Sequence, residues 1–195
     1  MMKPRILDRL LEAGGAQRGY VTAADAKDLD VNPTELRKLA ARGRLARVAQ
    51  GLYRLPTFPR AANDELMEAT LWAGRRGVIS HDSALRLHDL CDVNPVRIHV
   101  TVPSNYRPRK AGGQRYRIWP RDLGPQDLDE VDGIPVVAPA RAIADGIDAA
   151  LESTLVEQAI RTARERRLVT TKEERELRRR LAHRQSATLA GAGVR

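Results

Sequence analysis

The sequence predicts an α+β fold, in which a small helical domain with a β-hairpin precedes a larger mixed α/β domain. Helical apolar spacing dominates the amino-terminal segment, whereas later segments mix short β-branched runs with further helices. Two prolines interrupt regular structure in Pro56-Thr57-Phe58-Pro59. We therefore predict a first domain over residues 1–58, a second over residues 60–184, and a flexible tail over residues 185–195.

The amino-acid composition indicates which kinds of binding partner and which compartment suit this protein. The 195 residues are 42% hydrophobic and 30% charged, as in globular proteins, and the net charge of +9 favours a polyanion. The single cysteine, Cys91, excludes disulfide scaffolds and zinc fingers and favours a reducing compartment, so we expect a cytoplasmic protein. Charges interrupt every apolar stretch, which argues against a membrane span. Aromatic residues are only 4%, too few for a base-stacking platform, so duplex DNA is the favoured polyanion.

Three short helices are predicted in the first domain. Leu7, Leu10 and Leu11 share one helical face, and that helix ends at Gly14-Gly15. Thr22, with Asp25 three residues later, predicts a capping box that opens a helix of about two turns. The segment Asn32-Pro33-Thr34-Glu35 predicts the third helix, with Asn as N-cap, Pro at the first position and Glu closing a capping box. Gly43 ends this helix.

The third helix is predicted to have two distinct faces. Leu36, Leu39 and Ala40 fall on one side at 100° per residue, and small and cationic residues occupy the other. Two short helices, the second with a cationic outer face, are typical of a helix-turn-helix, whose second helix enters the major groove. Residues 45–49 and 52–55 flank Gln50-Gly51 and predict a β-hairpin, which would complete a winged helix-turn-helix.

These elements predict a DNA-binding surface. No acidic residue occurs between positions 36 and 54, although a basic helix face is more often simply solvated and a helix pair with a hairpin occurs in many small domains. The coincidence of capped helix, basic face and arginine-bearing hairpin favours DNA. We expect bases to be read by Thr34, Arg37 and Lys38. We expect phosphates to be held by Arg42, Arg44, Arg47 and Arg54.

The second domain is predicted to alternate helices and strands. Helices are expected over residues 61–73, 80–90, 140–147, 155–167 and 171–181, the last opened by a Thr171 to Glu174 capping box, and strands over 97–102, 116–119 and 136–137. We interpret Gly112-Gly113 as a hairpin turn. Residues 104–121 form a second basic block, which is either a second DNA contact or a solvated loop between strands. Its candidate residues are Arg107, Arg109, Lys110, Arg115 and Arg117.

Candidate catalytic groups are concentrated in one segment, which contains His81, Asp82, His88, Asp89, Cys91 and His99. Their spacing does not match the pairs that bind metals on helices, and no phosphate-binding or nucleophile motif is present. We therefore predict no catalytic residue, no metal and no cofactor. The alternative of an enzyme acting on nucleic acid or nucleotides through the His81–His99 region stays open, as does a module that only neutralises a partner protein.

Several motifs, in their order and spacing, resemble the AbiEi-type antitoxins of bacterial abortive-infection toxin–antitoxin pairs. They are the helix-turn-helix and wing ending in Gly51-Leu52-Tyr53-Arg54-Leu55, then residues 78–90 (VISHDSALRLHDL), residues 98–103 (IHVTVP) and residues 133–145 (GIPVVAPARAIAD). The resemblance implies a transcriptional autorepressor that binds repeats in its own promoter, with two copies on a repeat. It also implies a neighbouring nucleotidyltransferase-like toxin that this protein antagonises.

Overall fold

The computed structural model describes residues 5–109 and 112–192. The first domain contains α1 (Ile6–Gly15), β1 (Tyr20–Thr22), α2 (Ala23–Asp28), α3 (Pro33–Ala41), β2 (Ala46–Ala49) and β3 (Leu52–Arg54). The second contains α4 (Asp64–Trp72), β4 (Val78–Ile79), α5 (His81–Leu87), β5 (Ile98–Val102), β6 (Tyr116–Pro120), β7 (Leu128–Val131), β8 (Ile134–Val137), α6 (Pro139–Asp148), α7 (Ser153–Glu165) and α8 (Thr171–Ala192). The mixed helix and strand content confirms the predicted fold class.

The first domain is a winged helix, with the helix order and the β2–β3 hairpin expected from the sequence. Thr22 caps α2 by accepting a hydrogen bond from the Asp25 amide, and Asn32 caps α3 by accepting one from the Thr34 amide at 2.8 Å. Glu35 does not close a capping box, because its carboxylate pairs with Lys38 instead. The short strand β1, which the sequence did not predict, pairs with β3 and gives a sheet in the order β1-β3-β2.

The second domain is built on a five-stranded sheet in the order β6-β5-β4-β8-β7. Strands β5 and β6 run parallel, so the interpretation of Gly112-Gly113 as a hairpin turn is wrong: a hairpin joins only antiparallel strands. A true hairpin joins β7 to β8, where Asp132 (φ +51°) and Gly133 (φ +79°) form the turn. Positive φ at both central residues is the geometry that matches strand twist in a two-residue turn.

Helices cover both faces of this sheet. Helix α4 packs on one face, where the rings of Trp72 and Tyr116 are 4.8 Å apart. Helices α5 and α6 lie on the opposite face, which we call the α6 face, and α7 and α8 pack on α6. Helix α8 continues to Ala192, so residues 185–192 of the predicted tail are helical, and residues 193–195 lie outside the described residues. Its capping box is formed by Thr170 and Glu173, one residue earlier than predicted.

The two domains share packing and ion pairs. Tyr20 and Leu52 of the small sheet belong to the hydrophobic core of the second domain, whereas Val21 and Tyr53 face the core of the first. Arg75, just after α4, donates to Asp25 at 2.5 Å and to Asp28 at 3.2 Å, both on α2. Residues 55–63 between the domains contain no helix or strand, in agreement with the two prolines. Within the described ranges, no helix has the length and apolar character needed to cross a membrane.

Candidate nucleic-acid interface

Helix α3 presents its polar side to solvent. Leu36 is 1% exposed and packs in the first domain's core, with Leu39 and Ala40 against it. Thr34, Arg37, Lys38 and Ala41 are exposed on the other side. The face that the helical wheel predicts as internal is therefore the face that packs, and the outward face carries the three residues proposed to read bases.

The outward side chains of α3 are held only weakly by the protein itself. The Arg37 guanidinium donates to the Thr34 hydroxyl at 3.4 Å, near the upper limit for a hydrogen bond. Lys38 lies 2.8 Å from the Glu35 carboxylate, and the Lys38 side chain is 55% exposed. Exposed pairs at i,i+3 stabilise a protein by less than about 1 kcal/mol. A phosphate or base edge can therefore replace these partners at small cost.

Three further cations continue the surface beyond α3. Gly43 (φ +70°) ends the helix between Arg42 and Arg44, and Arg47 follows on the edge strand β2. All three arginines are exposed, and none pairs with a carboxylate in the described part of the chain. Their charges are therefore available to a polyanion.

Arg54 does not belong to this surface. Its residue is 7% exposed, and its guanidinium donates to the carbonyls of Phe58 and Pro59 at 3.1 and 2.9 Å and lies 3.5 Å from the Asp64 carboxylate. The prediction that Arg54 holds a phosphate is therefore wrong, because the side chain is turned into the junction between the domains. Strand β3 is the central strand of the small sheet, and its three residues are all buried.

The turn of the wing packs against the protein. The Ala23 amide donates to the Gly51 carbonyl at 2.8 Å, which ties the turn to the start of α2. A cavity of about 280 Å³ separates Gln50 and Gly51 from Leu71 and Arg75 at the end of α4. The turn itself carries no cation, so the hairpin contributes positive charge through Arg47 on its outer strand.

In the second basic block, residues 104–121, some arginines are exposed at the surface and others contact neighbouring side chains. Arg107 and Arg109 are exposed, and Arg107 donates only to backbone carbonyls of its own loop. Arg115 instead pairs with Glu68, and the Arg117 guanidinium lies 4.4 Å from the centre of the Trp119 ring. Lys110 lies outside the described residues.

The exposed part of that block lies beside the first domain. The Tyr106 side chain lies against the end of α4, because a Cβ at Gly74 would lie 2.9 Å from the Tyr106 hydroxyl. The next residue, Arg75, binds α2. The loop after β5 therefore lies close to the winged helix, on the side of the wing turn.

The histidine-rich segment is a packed region between the sheet and the helices of the α6 face. The His81 ring, 1% exposed, stacks on Trp119 at 3.9 Å, and burial lowers the pKa of His81 to about 3. Its Nδ1 shares a hydrogen bond with Ser80 and lies 3.7 Å from Asp145. Burial raises the pKa of Asp145 to about 6, although Arg121 opposes this effect. At neutral pH, His81 is therefore an uncharged side chain that packs against an aromatic ring.

Of the remaining candidates, His99 is buried with its ring 5.7 Å from the His81 ring, and the others make contacts of their own. His88 is bonded to the Val137 carbonyl at 2.8 Å, and Cys91 is half-buried with its pKa raised by burial. Asp82 is half-buried and Asp89 is exposed. Within residues 5–109 and 112–192, no three His, Cys, Asp or Glu side chains are grouped to hold a metal ion.

The first domain is similar to a known protein family. Residues 7–56 match the family model described as transcriptional regulator, AbiEi antitoxin. Among solved structures, the chain is similar to the RV2827C protein from Mycobacterium tuberculosis, with 18% sequence identity and a TM-score of 0.47 over 97% of this chain and 82% of that one. The comparison with curated proteins finds no match.

Proposed function

We propose that this protein is a sequence-specific repressor that binds double-stranded DNA at its own promoter, because residues 7–56 match the family model of AbiEi antitoxin transcriptional regulators. The observation that carries the proposal is the run of exposed cations on α3, the turn after it and β2. Arg37, Arg42, Arg44 and Arg47 are exposed there and pair with no carboxylate among the described residues. In this proposal Thr34, Arg37 and Lys38 read bases, and the three later arginines hold phosphates.

The similarity to this family also supports a proposal about the partner protein. We propose that the protein acts as the antitoxin of a nucleotidyltransferase-like toxin, and that two copies occupy promoter repeats. Base contacts from two α3 helices are then expected one helical turn apart, or a multiple of it. Footprinting of the promoter region checks this spacing. Protection of a single isolated site would contradict the paired arrangement.

Two arginine variants separate base reading from phosphate contact. Arg37→Ala is expected to cost about 1–3 kcal/mol on the promoter and little on random DNA, because base contacts supply specificity. Arg47→Ala is expected to weaken binding to both sequences similarly and to reduce the salt slope by about one. Fluorescence anisotropy titrations at several salt concentrations measure both quantities. An equal loss on promoter and random DNA with Arg37→Ala would remove the base-reading role.

The loop after β5 is proposed as a second phosphate contact through Arg107 and Arg109. Its place beside the wing turn supports this assignment, and the pairing of Arg115 with Glu68 leaves that residue out. Replacing both loop arginines with alanine is expected to reduce the salt slope by about two without changing sequence preference. The matched control replaces Arg161 and Arg167, two exposed arginines in and after α7. If both double variants change the slope equally, the loss reflects net charge alone.

A further inference from the structure

The large sheet has two edge strands. Strand β6 pairs only with β5, and β7 pairs only with β8, among the residues that the structure describes. Such edges expose unpaired backbone donors and acceptors, and proteins commonly protect them with charge or with proline. Pro120 protects one end of β6, but the central part of each edge contains no proline.

The two edges carry opposite charge. Residues 113–121, which include β6, contain three arginines and no acid, whereas residues 122–132, which include β7, contain five acids and no base. Asp129 and Glu130 on β7 are exposed and form no ion pair within the described ranges. Pairing β6 with β6, or β7 with β7, would place like charges together. Pairing β6 with β7 would place opposite charges together, so these charges disfavour every edge pairing except that one.

The side chains that would meet also lie on the same face of the sheet. Strand register places Trp119 beside Thr101, Thr101 beside Val78, and Glu130 beside Pro135. Followed across the sheet, these pairs put Arg117 and Trp119 on the α6 face at one edge, and Leu128 and Glu130 on that face at the other. Leu128 is 47% exposed, and Trp119 is half-buried.

The directions of the strands are also compatible. Since β5 and β6 are parallel, β4 is antiparallel to β5 and parallel to β8, and β7 is antiparallel to β8, the two edge strands point the same way. A second copy that is shifted perpendicular to the strands, in the same orientation, can therefore extend the sheet by parallel pairing.

From these observations we propose that β6 of one copy binds β7 of a second copy in parallel, with Arg117 facing Glu130. The contact is heterologous, because the two copies use different surfaces, so each pair leaves one basic and one acidic edge free. Association therefore grows with concentration beyond a dimer. This self-association does not involve α3 and is separate from DNA recognition.

Charge reversal of the full-length protein tests the contact. In sedimentation velocity experiments, the weight-average sedimentation coefficient of the wild type is expected to rise with protein concentration. Arg117→Glu alone and Glu130→Arg alone are each expected to abolish this rise. The double variant, and an equimolar mixture of the two single variants, are expected to restore it, because opposite charges face each other again. Glu157→Arg, an exposed position on α7, is the matched control and is expected to behave as the wild type.

The experiment has clear contrary outcomes. A wild type that stays monomeric at every concentration would overturn the proposal. Single variants that associate as the wild type does would show that another surface is responsible. Circular dichroism melts of each variant check that the fold is intact, and recovery by the mixture cannot come from a folding defect. Failure of promoter binding in a separate assay would bear on the proposed repressor function and not on this contact.

Discussion

Arg54 joins the two domains through a buried guanidinium. It donates to two carbonyls of the connecting segment and neighbours Asp64, a carboxylate that Arg18 also binds at 3.1 Å. Removing one partner of a buried ion pair leaves the other charge uncompensated, at a cost of about 3–5 kcal/mol. The second arginine on Asp64 reduces this cost, because the carboxylate keeps one cation.

We therefore expect Arg54→Ala to lower the free energy of unfolding by about 3 kcal/mol. Arg47→Ala, on the exposed edge strand β2, is expected to change it by less than about 0.5 kcal/mol. Urea denaturation of both variants measures the difference. Equal stability of the two variants would mean that the Arg54 contacts add nothing to folding.

His81 makes stability depend on pH. Its pKa is about 3 in the folded protein, against 6.5 for the ordinary side chain, because burial disfavours the charged ring. Below pH 6.5 the unfolded chain takes up a proton that the folded chain does not. The free energy of unfolding therefore decreases as the pH is lowered. Between pH 7 and pH 5 this loss is about 2 kcal/mol. The lowered pKa values of His88 and His99 act in the same direction, and the raised pKa of Asp145 acts in the opposite one.

Comparison with His81→Asn isolates that contribution. Asparagine tolerates the positive φ of +51° at this position but does not titrate. The wild type is expected to lose about 2 kcal/mol more than the variant when denaturation is measured at pH 5 instead of pH 7. Parallel pH profiles for the two proteins would contradict a buried neutral histidine.

Residue roles could be predicted where the local sequence determines exposure. The spacing of Leu36, Leu39 and Ala40 fixes which side of α3 packs, and hence that Arg37 and Lys38 face outward. The burial of Arg54 could not be predicted, because its carboxylate partner lies ten residues away and on the next helix. The same reason explains why Arg115, whose partner Glu68 is on α4, was expected to be free.

At the scale of single elements, α3 depends on its first turn. The Asn32 side chain accepts from the Thr34 amide, and loss of such a cap costs about 1 kcal/mol. We expect Asn32→Ala to lower the free energy of unfolding by this amount and to weaken promoter binding. Asn32→Ser keeps an acceptor and is expected to behave nearly as the wild type. Denaturation and anisotropy titration measure the two effects. Equal binding by both variants would show that the cap does not order the DNA-facing residues.

The elements that the sequence predicted are those with strong local signals. Capping residues and apolar spacing indicated the helices, and Gln50-Gly51 indicated the wing hairpin. Strand β1 has only three residues, and β7 is acidic and largely exposed, so neither shows the apolar alternation of a strand. The parallel pairing of β5 and β6 is a property of the sheet as a whole, and two adjacent glycines are compatible with many kinds of connection.

For the whole molecule, the docking of the two domains predicts a single unfolding transition. Arg75 binds Asp25, whose side chain is 5% exposed, and Tyr20 and Leu52 contribute to the core of the second domain. We expect Arg75→Ala to lower the overall free energy of unfolding by about 2 kcal/mol, because it removes charged hydrogen bonds to a buried carboxylate. Arg60→Ala, at an exposed position in the connecting segment, is the control.

Two probes check this cooperativity. Near-ultraviolet circular dichroism reports mainly on the second domain, which contains both tryptophans, and far-ultraviolet circular dichroism reports on all helices. Coincident urea transitions are expected for the wild type. Separate transitions would show that the domains unfold independently.

The contact between the wing turn and α2 also constrains the length of the DNA site that the protein can bind. Gly51 is tied to α2, and Arg75 ties α2 to the end of α4, so the first domain is held against the second, which carries the loop with Arg107 and Arg109. If both regions bind one duplex, the number of base pairs between the bases read by α3 and the more distant phosphates is set by the protein. A duplex nicked or gapped at that intervening position should bind less tightly, since the rigid protein can no longer engage both segments through one continuous backbone.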